Sequence, residues 1–206
     1  IKQIAGRAGR FQRFPVGAVT CLQKVEEGLS DIQDALESTL DQQTQSMVGP
    51  DLDIFTKVNN ALSSNNLPIS KLSEFLRLFN TQTFTKPFYC VELKEMIELA
   101  ETVEDIDSNN MLSSAEIFGF ACAPVNLGLL EHVQYYVWML KKYVTNDIIK
   151  NEHINHSSNE IDYLETTIKC VELYQWLARH FNNKNFEFDE TDLLENKLLA
   201  IDKLNT

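Results

Sequence analysis

Cysteine is sparse in this chain, and what there is lies scattered. Cys21, Cys90, Cys122 and Cys170 form no CxxC pair, and none stands beside a histidine at zinc-ligand spacing. They read as buried thiols of a reducing compartment, not as a disulfide framework or a metal site. Long apolar runs are missing as well. No stretch approaches the roughly 20 apolar residues that a bilayer-crossing helix needs, so no membrane insertion is expected. No Ser-His-Asp or Cys-His nucleophile arrangement is recognisable, and His153 and His156 fall in the polar stretch NEHINHSSNE, which reads as a solvated loop. No signal peptide is visible. Because the first residue is Ile1 and not methionine, targeting is not legible and the chain is expected to be a piece of something longer.

Basic residues are scarce too, and unevenly placed. The chain has 206 residues, is 44% hydrophobic and carries a formal charge of −12, enough to bury a full core in one large domain or one and a half smaller ones. Residues 1–13, IKQIAGRAGRFQR, hold Lys2, Arg7, Arg10 and Arg13 and no carboxylate. That segment takes three of the five arginines, and leaves a body of 14 basic and 30 acidic side chains. So acidic a body does not suit general coating of nucleic acid, which requires a basic patch. Any anion handled by this chain belongs at its opening.

Read as a helix, the opening segment places Gln3, Arg7 and Arg10 on one face at i, i+4 and i+7,. Ile4, Ala8 and Phe11 repeat that spacing one residue later, as an apolar stripe for packing,. Gly6 and Gly9 each cost roughly 1 kcal/mol relative to alanine in a helix, a cost that makes sense where backbone approaches a ligand closely. Planar guanidinium forks suit phosphate oxygens, and an amide beside them can orient a water. The segment reads as a phosphate-sensing edge.

Downstream, FPVGAVTCL reads as a short strand through Val16, Ala18, Val19, Cys21 and Leu22. VEEGLSDIQDALES reads as a helix with Leu29, Ile32 and Leu36 inward, and QQTQSMVGP as a linker ending at Gly49-Pro50,. From Pro50 the period is helical throughout. Leu52, Phe55, Val58 and Leu62 share one face; Leu72, Phe75, Leu76 and Phe79 share the next,. FYCVELKEMIELAETV reads as a third helix. SSAEIFGFACAPVNL follows, with Ser113 or Ser114 as cap and Pro124 as stop. In LGLLEHVQYYVWMLKKYV the inward positions are Leu130, Val133, Val137, Leu140 and Val144; in the following helix they are Ile161, Leu164, Ile168, Val171 and Leu177. Asp189 caps a last helix. No strand-period run is evident after Pro50. The expected fold is mainly α: residues 1–49 form the end of an α/β domain and 50–206 a helical bundle.

Gln3-x-x-Gly6-Arg7-x-Gly9-Arg10 resembles motif VI of superfamily-two helicases, in the form found in DExH-box RNA helicases. FGFACAPVNL and CVELYQWLARHF resemble the C-terminal helical region of the mitochondrial degradosome RNA helicase family. Together the likeness spans essentially the whole chain, apart from residues 38–50 and 146–160. It implies that residues 1–49 end the second RecA-like domain. It implies Arg10 as arginine finger on the γ-phosphate of ATP, Arg7 as a second phosphate contact or interdomain link, and Gln3 as the group placing the attacking water, with Gly6 and Gly9 in the nucleotide-binding segment. It implies ATP and Mg²⁺ as cofactors, RNA as substrate and the mitochondrial matrix as location. The partner it implies is an RNase-II-like exoribonuclease carrying out 3′–5′ degradation, or polynucleotide phosphorylase in animal relatives. Neither a GxxxxGK[ST] phosphate loop nor a DExH motif occurs in the 206 residues, so this segment by itself is expected to be inactive.

Two other readings stay open. A Ski2-like exosome helicase shares the GRAGR form but is expected to show a winged-helix strand pair, which is not seen. A non-enzymatic helical adaptor would carry the Gly-Arg segment incidentally and show no nucleotide-linked behaviour. Plainer readings attach to other features. Tyr135, Tyr136, Trp138 and Tyr143 can stack on bases, but their helical spacing suits a core better. Lys141 and Lys142 suit a solvated helix end. Glu101, Glu104, Asp105 and Asp107, like Asp189, Glu190 and Asp192, read as solvated faces and helix-terminal charges.

Overall fold

Asp51 and Ser113 open two helices by the same device. The Asp51 carboxylate accepts the Ile54 N–H at 2.8 Å. Ser113 accepts the Glu116 N–H while Glu116 takes the Ser113 N–H in return, a capping box that satisfies donors the helix leaves orphaned,. The computed structural model describes residues 17–20, 26–39, 44–151, 160–182, 184–187 and 189–205. The chain divides into two compact units, Ile1–Thr44 and Gln45–Thr206.

In the first unit the described structure is helix α1 (Glu26–Glu37) and the segment 17–20. Leu29 and Leu36 are exposed on α1, and only Ile32 of the expected inward trio is half-buried. The amphipathic pattern was enough to form the helix but not to bury it. Gly17, Ala18, Val19 and Thr20 form no strand, and only Val19 is even half-buried; no ladder partner for them exists among the described residues. The rest of the expected strand, Val16, Cys21 and Leu22, lies outside those residues.

The second unit begins with strand β1 (Ser46–Val48), inside the segment read as a linker. It runs parallel to β2 (Phe88–Cys90), with Ser46, Met47 and Val48 opposite Phe88, Tyr89 and Cys90. The start of FYCVELKEMIELAETV is therefore strand and not helix. Helices follow one another otherwise: α2 (Leu52–Ser64), α3 (Leu72–Asn80), α4 (Lys94–Ile106), α5 (Ser114–Ala121), α6 (Leu130–Val144), α7 (Ile161–His180) and α8 (Glu190–Leu204). The unit is mainly helical, as the periodicity predicts. Asparagine closes several of these helices: Asn66, Asn146 and Asn182 follow the ends of α2, α6 and α7 at φ of 56°, 58° and 51°. Asparagine is the residue after glycine that best tolerates the left-handed turn closing a helix.

Two apolar clusters hold the second unit. Phe55, Leu72, Phe75, Leu76, Ala100 and Ala121 join α2, α3, α4 and α5. A larger cluster joins α4 through α8, with Tyr136, Met139, Leu140, Val171, Tyr174 and Leu177 fully buried. Helices α4 and α5 feed both clusters: Ala100 and Ala121 turn one way, Leu99, Val103 and Phe120 the other. On α6 the buried face is His132, Tyr135, Tyr136, Met139, Leu140 and Tyr143. Of the expected inward set only Leu140 is fully buried, and Leu130 is exposed. Two stripes at helical spacing compete on this segment, and the aromatic one wins because it buries more apolar area per residue. Ile161 is likewise exposed at the start of α7, whereas Leu164, Val171 and Leu177 are buried as expected.

Beyond α7, Ile149 and Phe186 form an isolated parallel bridge. The buried Tyr174 hydroxyl fixes it, donating to the Ile149 and Glu187 carbonyls, each at 2.8 Å. That pin ties the segment after α6 to the approach of α8.

Candidate functional site

Gln3, Gly6, Arg7, Gly9 and Arg10, the residues assigned to nucleotide chemistry, lie outside the described residues. What the described residues do bring together is a cavity of about 670 Å³ between α6 and the first half of α7. Its aromatic wall comes from α6. Tyr135 and Trp138, three positions apart and so on one face, stack at 5.6 Å between centroids and 15° between planes,. Tyr163 of α7 lines it as well. The aromatic residues thus divide their work: Tyr135, Tyr136 and Tyr143 are buried in the core, Tyr135 also lining the cavity, while Trp138 is half-buried against the core and lines the cavity beside it.

The remaining lining is polar and mainly acidic. Among the described residues, Glu131, Glu160, Asp162 and Glu165 contribute carboxylates and Lys169 an ammonium. Glu131, Asp162 and Glu165 make no ion pair among the described residues. Burial pushes the Cys170 thiol up to about 11, with the Glu131 charge adding to the effect,. At that value the thiol stays protonated and unreactive at neutral pH. Asn151 Oδ1 accepts the Tyr135 hydroxyl at 3.1 Å, and its Nδ2 is buried with no acceptor. Beside the cavity His132 is buried, its Nδ1 accepting the Asn126 N–H at 3.0 Å. Burial lowers its pKa; a backbone contact with Lys169 acts in the opposite sense, and the Lys169 charge lowers it further. The ring is therefore neutral, and serves as a fixture of the loop before α6.

A second polar junction lies at the N-terminus of α5. Glu116 Oε1 accepts from Lys184 Nζ at 2.6 Å and the Tyr143 hydroxyl at 2.9 Å; Oε2 accepts from the Ser113 N–H and hydroxyl. One carboxylate so links α5, α6 and the turn after α7. It is a structural node, holding three elements together through one side chain.

The acidic clusters prove to be anchors. Glu101 pairs with Arg77, and Glu104 accepts from the Ser73 N–H and hydroxyl. Buried Asp107 accepts the N–H groups of Met111 and Leu112 at 2.7 and 2.9 Å, and Asp189 caps α8 by accepting from Thr191 and Asp192. Among the described residues no group of three His, Cys, Asp or Glu converges on a metal-sized point. Lys142 pairs with Asp147 at the end of α6. The cavity itself was not read from the sequence. Its only signal there is the coincidence of aromatics at i and i+3 on one helix with carboxylates in the opening turns of the next.

Comparison with protein families finds no family model that matches the chain. Among curated proteins, 190 residues (86% of the chain) align at 27% identity with the DExH-box ATP-dependent RNA helicase DExH16, mitochondrial, of Arabidopsis thaliana. The same identity and coverage relate it to the ATP-dependent RNA helicase SUV3, mitochondrial, of Oryza sativa subsp. japonica. The aligned stretch covers 31% of each, so the chain spans about a third of the length of the curated relatives it matches.

Proposed function

We propose that this chain, a relative of the C-terminal part of mitochondrial DExH-box RNA helicases, completes the ATP site of such an enzyme with its opening Gly-Arg segment. The observation that carries the reading is the coincidence of two independent features. One is similarity over 86% of the chain to two mitochondrial RNA helicases. The other is a Gln-x-x-Gly-Arg-x-Gly-Arg run in the one stretch with guanidinium groups and no carboxylate.

Arg10 neutralises charge developing on the γ-phosphate oxygens, which is where in-line phosphoryl transfer requires it. Arg7 holds a second phosphate oxygen or the acidic edge of the neighbouring domain, and Gln3 orients the attacking water. These donors fit phosphate and not metal, since guanidinium and amide N–H groups cannot ligate Mg²⁺. The nucleotide cradle and the Mg²⁺ carboxylate belong to the parent enzyme's first RecA-like domain, where the bound metal offsets phosphate charge. The helical unit lies along the RNA path and presents surfaces to a partner exoribonuclease of 3′–5′ polarity. The compartment is the mitochondrial matrix, in keeping with relatives that are both named mitochondrial.

RNA-stimulated ATP hydrolysis by the full natural chain, compared with its Arg10→Ala variant, tests this. The rate should fall by roughly 10³-fold or more, the worth of an arginine finger, with ATP binding and the folded state retained. An unchanged rate, or no hydrolysis by the natural chain, overturns the reading and favours a helical adaptor.

A further inference from the structure

Helix α8 carries more leucine than its packing uses. Leu193 and Ala200, seven positions apart on one face, are buried, Leu193 within the larger core,. They fix the helix about its axis, because rotation would draw both into water. On the outer side Leu194 and Leu198 stand at i and i+4, 50% and 48% exposed, and half-buried Ile201 extends the stripe,. Leu199 is exposed as well. A lone exposed leucine needs no explanation, but neighbours on one stripe mark a contact surface. Charge borders this stripe unequally. Glu195 and Asp202, both exposed, run along one side. Glu195 makes no ion pair among the described residues. On the other side Lys197 is held by Glu172 of α7 at 2.6 Å. The border that meets solvent is therefore acidic, in a chain of net charge −12. Such a face repels phosphate, whether on nucleic acid or on lipid. It also opposes a second copy, since pairing two α8 helices antiparallel about Leu198 would set Glu195 of one beside Asp202 of the other.

We propose that the outer face of α8 docks a basic amphipathic helix of a protein partner. The partner's apolar residues lie on Leu194, Leu198 and Ile201, and lysines or arginines beside them meet Glu195 and Asp202. The inference stands on this face alone and does not depend on ATP hydrolysis.

Two synthetic alanine-based helices of about 18 residues, each with a single leucine stripe, serve as probes. One carries lysines beside the stripe and the other glutamates. Titrated into the ¹⁵N-labelled 206-residue chain, the lysine helix should bind saturably, with shifts centred on the α8 amides from Leu194 to Asp202. The glutamate helix should bind at least about tenfold more weakly. Leu194→Gln combined with Leu198→Gln should weaken the lysine helix by about tenfold or more. Glu195→Lys combined with Asp202→Lys, both exposed positions, should invert the preference, so that the glutamate helix binds tighter. The same reversal on α1, by Asp31→Lys with Asp34→Lys, should change binding less than about twofold. Equal binding of the two probes, shifts spread over the acidic surface, or equal effects of the two charge reversals overturns the proposal. So does dimerisation of the chain alone that the paired leucine substitutions abolish, which would assign the face to a second copy.

Discussion

Glu116 gathers four donors on two oxygens, and the balance at this one residue sets a pH dependence. Burial by itself would raise its carboxyl. The Lys184 ammonium, the Ser113 N–H and hydroxyl, and the Tyr143 hydroxyl outweigh that and hold it at about 2, below its ordinary 4.5,. A carboxyl depressed on folding stabilises the native state above its unfolded-state pKa, and the contribution is lost as pH falls through the folded value. The Glu116 contribution should therefore be complete above about 4.5 and fade between there and about 2. Glu116→Gln should cost about 1.5–3 kcal/mol at neutral pH, the range for hydrogen bonds to a charged group. Its urea midpoint should then vary less than wild type over that acid window. Parallel midpoints for the two proteins down to pH 2 would show that the carboxylate is not held there.

Tyr174 makes a second residue-scale case. Its hydroxyl is shared by the Ile149 and Glu187 carbonyls. The Ile149 carbonyl also accepts the Glu187 N–H at 2.9 Å, so Tyr174→Phe orphans chiefly the Glu187 carbonyl. A loss of about 1–2 kcal/mol is expected, together with faster hydrogen exchange at the Ile149 and Glu187 amides. Exchange that speeds up uniformly over the whole unit would mean that the pin has no local role.

At the scale of elements, the crossing of α5 against the end of α7 depends on a glycine. A Cβ on Gly119 would lie 2.5 Å from His180 Nε2 and 3.0 Å from Phe181 Cε1. Helix propensity favours alanine there by about 0.5–1 kcal/mol. Overpacking costs about 1–3 kcal/mol and opposes it. His180 can swing away only by giving up its stack on Trp176, now at 4.7 Å and 9°. Phe181 is wedged against Phe120 and Tyr143 and has less room to move. Gly119→Ala should thus lower the melting temperature, and adding His180→Ala should recover part of the loss. A more stable Gly119→Ala would show that propensity decides instead.

Elements were legible where period and cap agreed. Helix α3 buries Leu72, Phe75 and Leu76 of the face its spacing marks, α2 buries Phe55 and half-buries Leu52, Val58 and Leu62, and Ser113 and Asp189 cap as their positions suggest. The failures have physical causes. On α6 two apolar stripes overlap, and bulk decided between them. Strands β1 and β2 have three residues each, with Met47, Phe88 and Tyr89 exposed; no alternation can show in so short a run, and only the pairing defines them. Helix ends were sought at glycine and proline, whereas asparagine in the left-handed region supplies several of them. The cavity was hidden for a related reason: its charges come mostly from one helix and its rings mostly from another, so no single window of sequence contains it.

For the whole molecule, charge and packing divide along different lines. The opening cationic segment gave the chain its likeness to helicases directly, because that chemistry is local in sequence. The buried architecture is not local: among the described residues, both apolar clusters are built from residues after Gln45. A compact unit with two apolar clusters of its own should fold without Ile1–Thr44,. Residues 45–206 expressed alone should keep a helical far-UV spectrum and melt cooperatively within about 5 °C of the 206-residue chain, a shift equivalent to about 1–2 kcal/mol for a unit of this size. Loss of cooperativity on removing residues 1–44 would mean that the helical unit needs the preceding segment to fold.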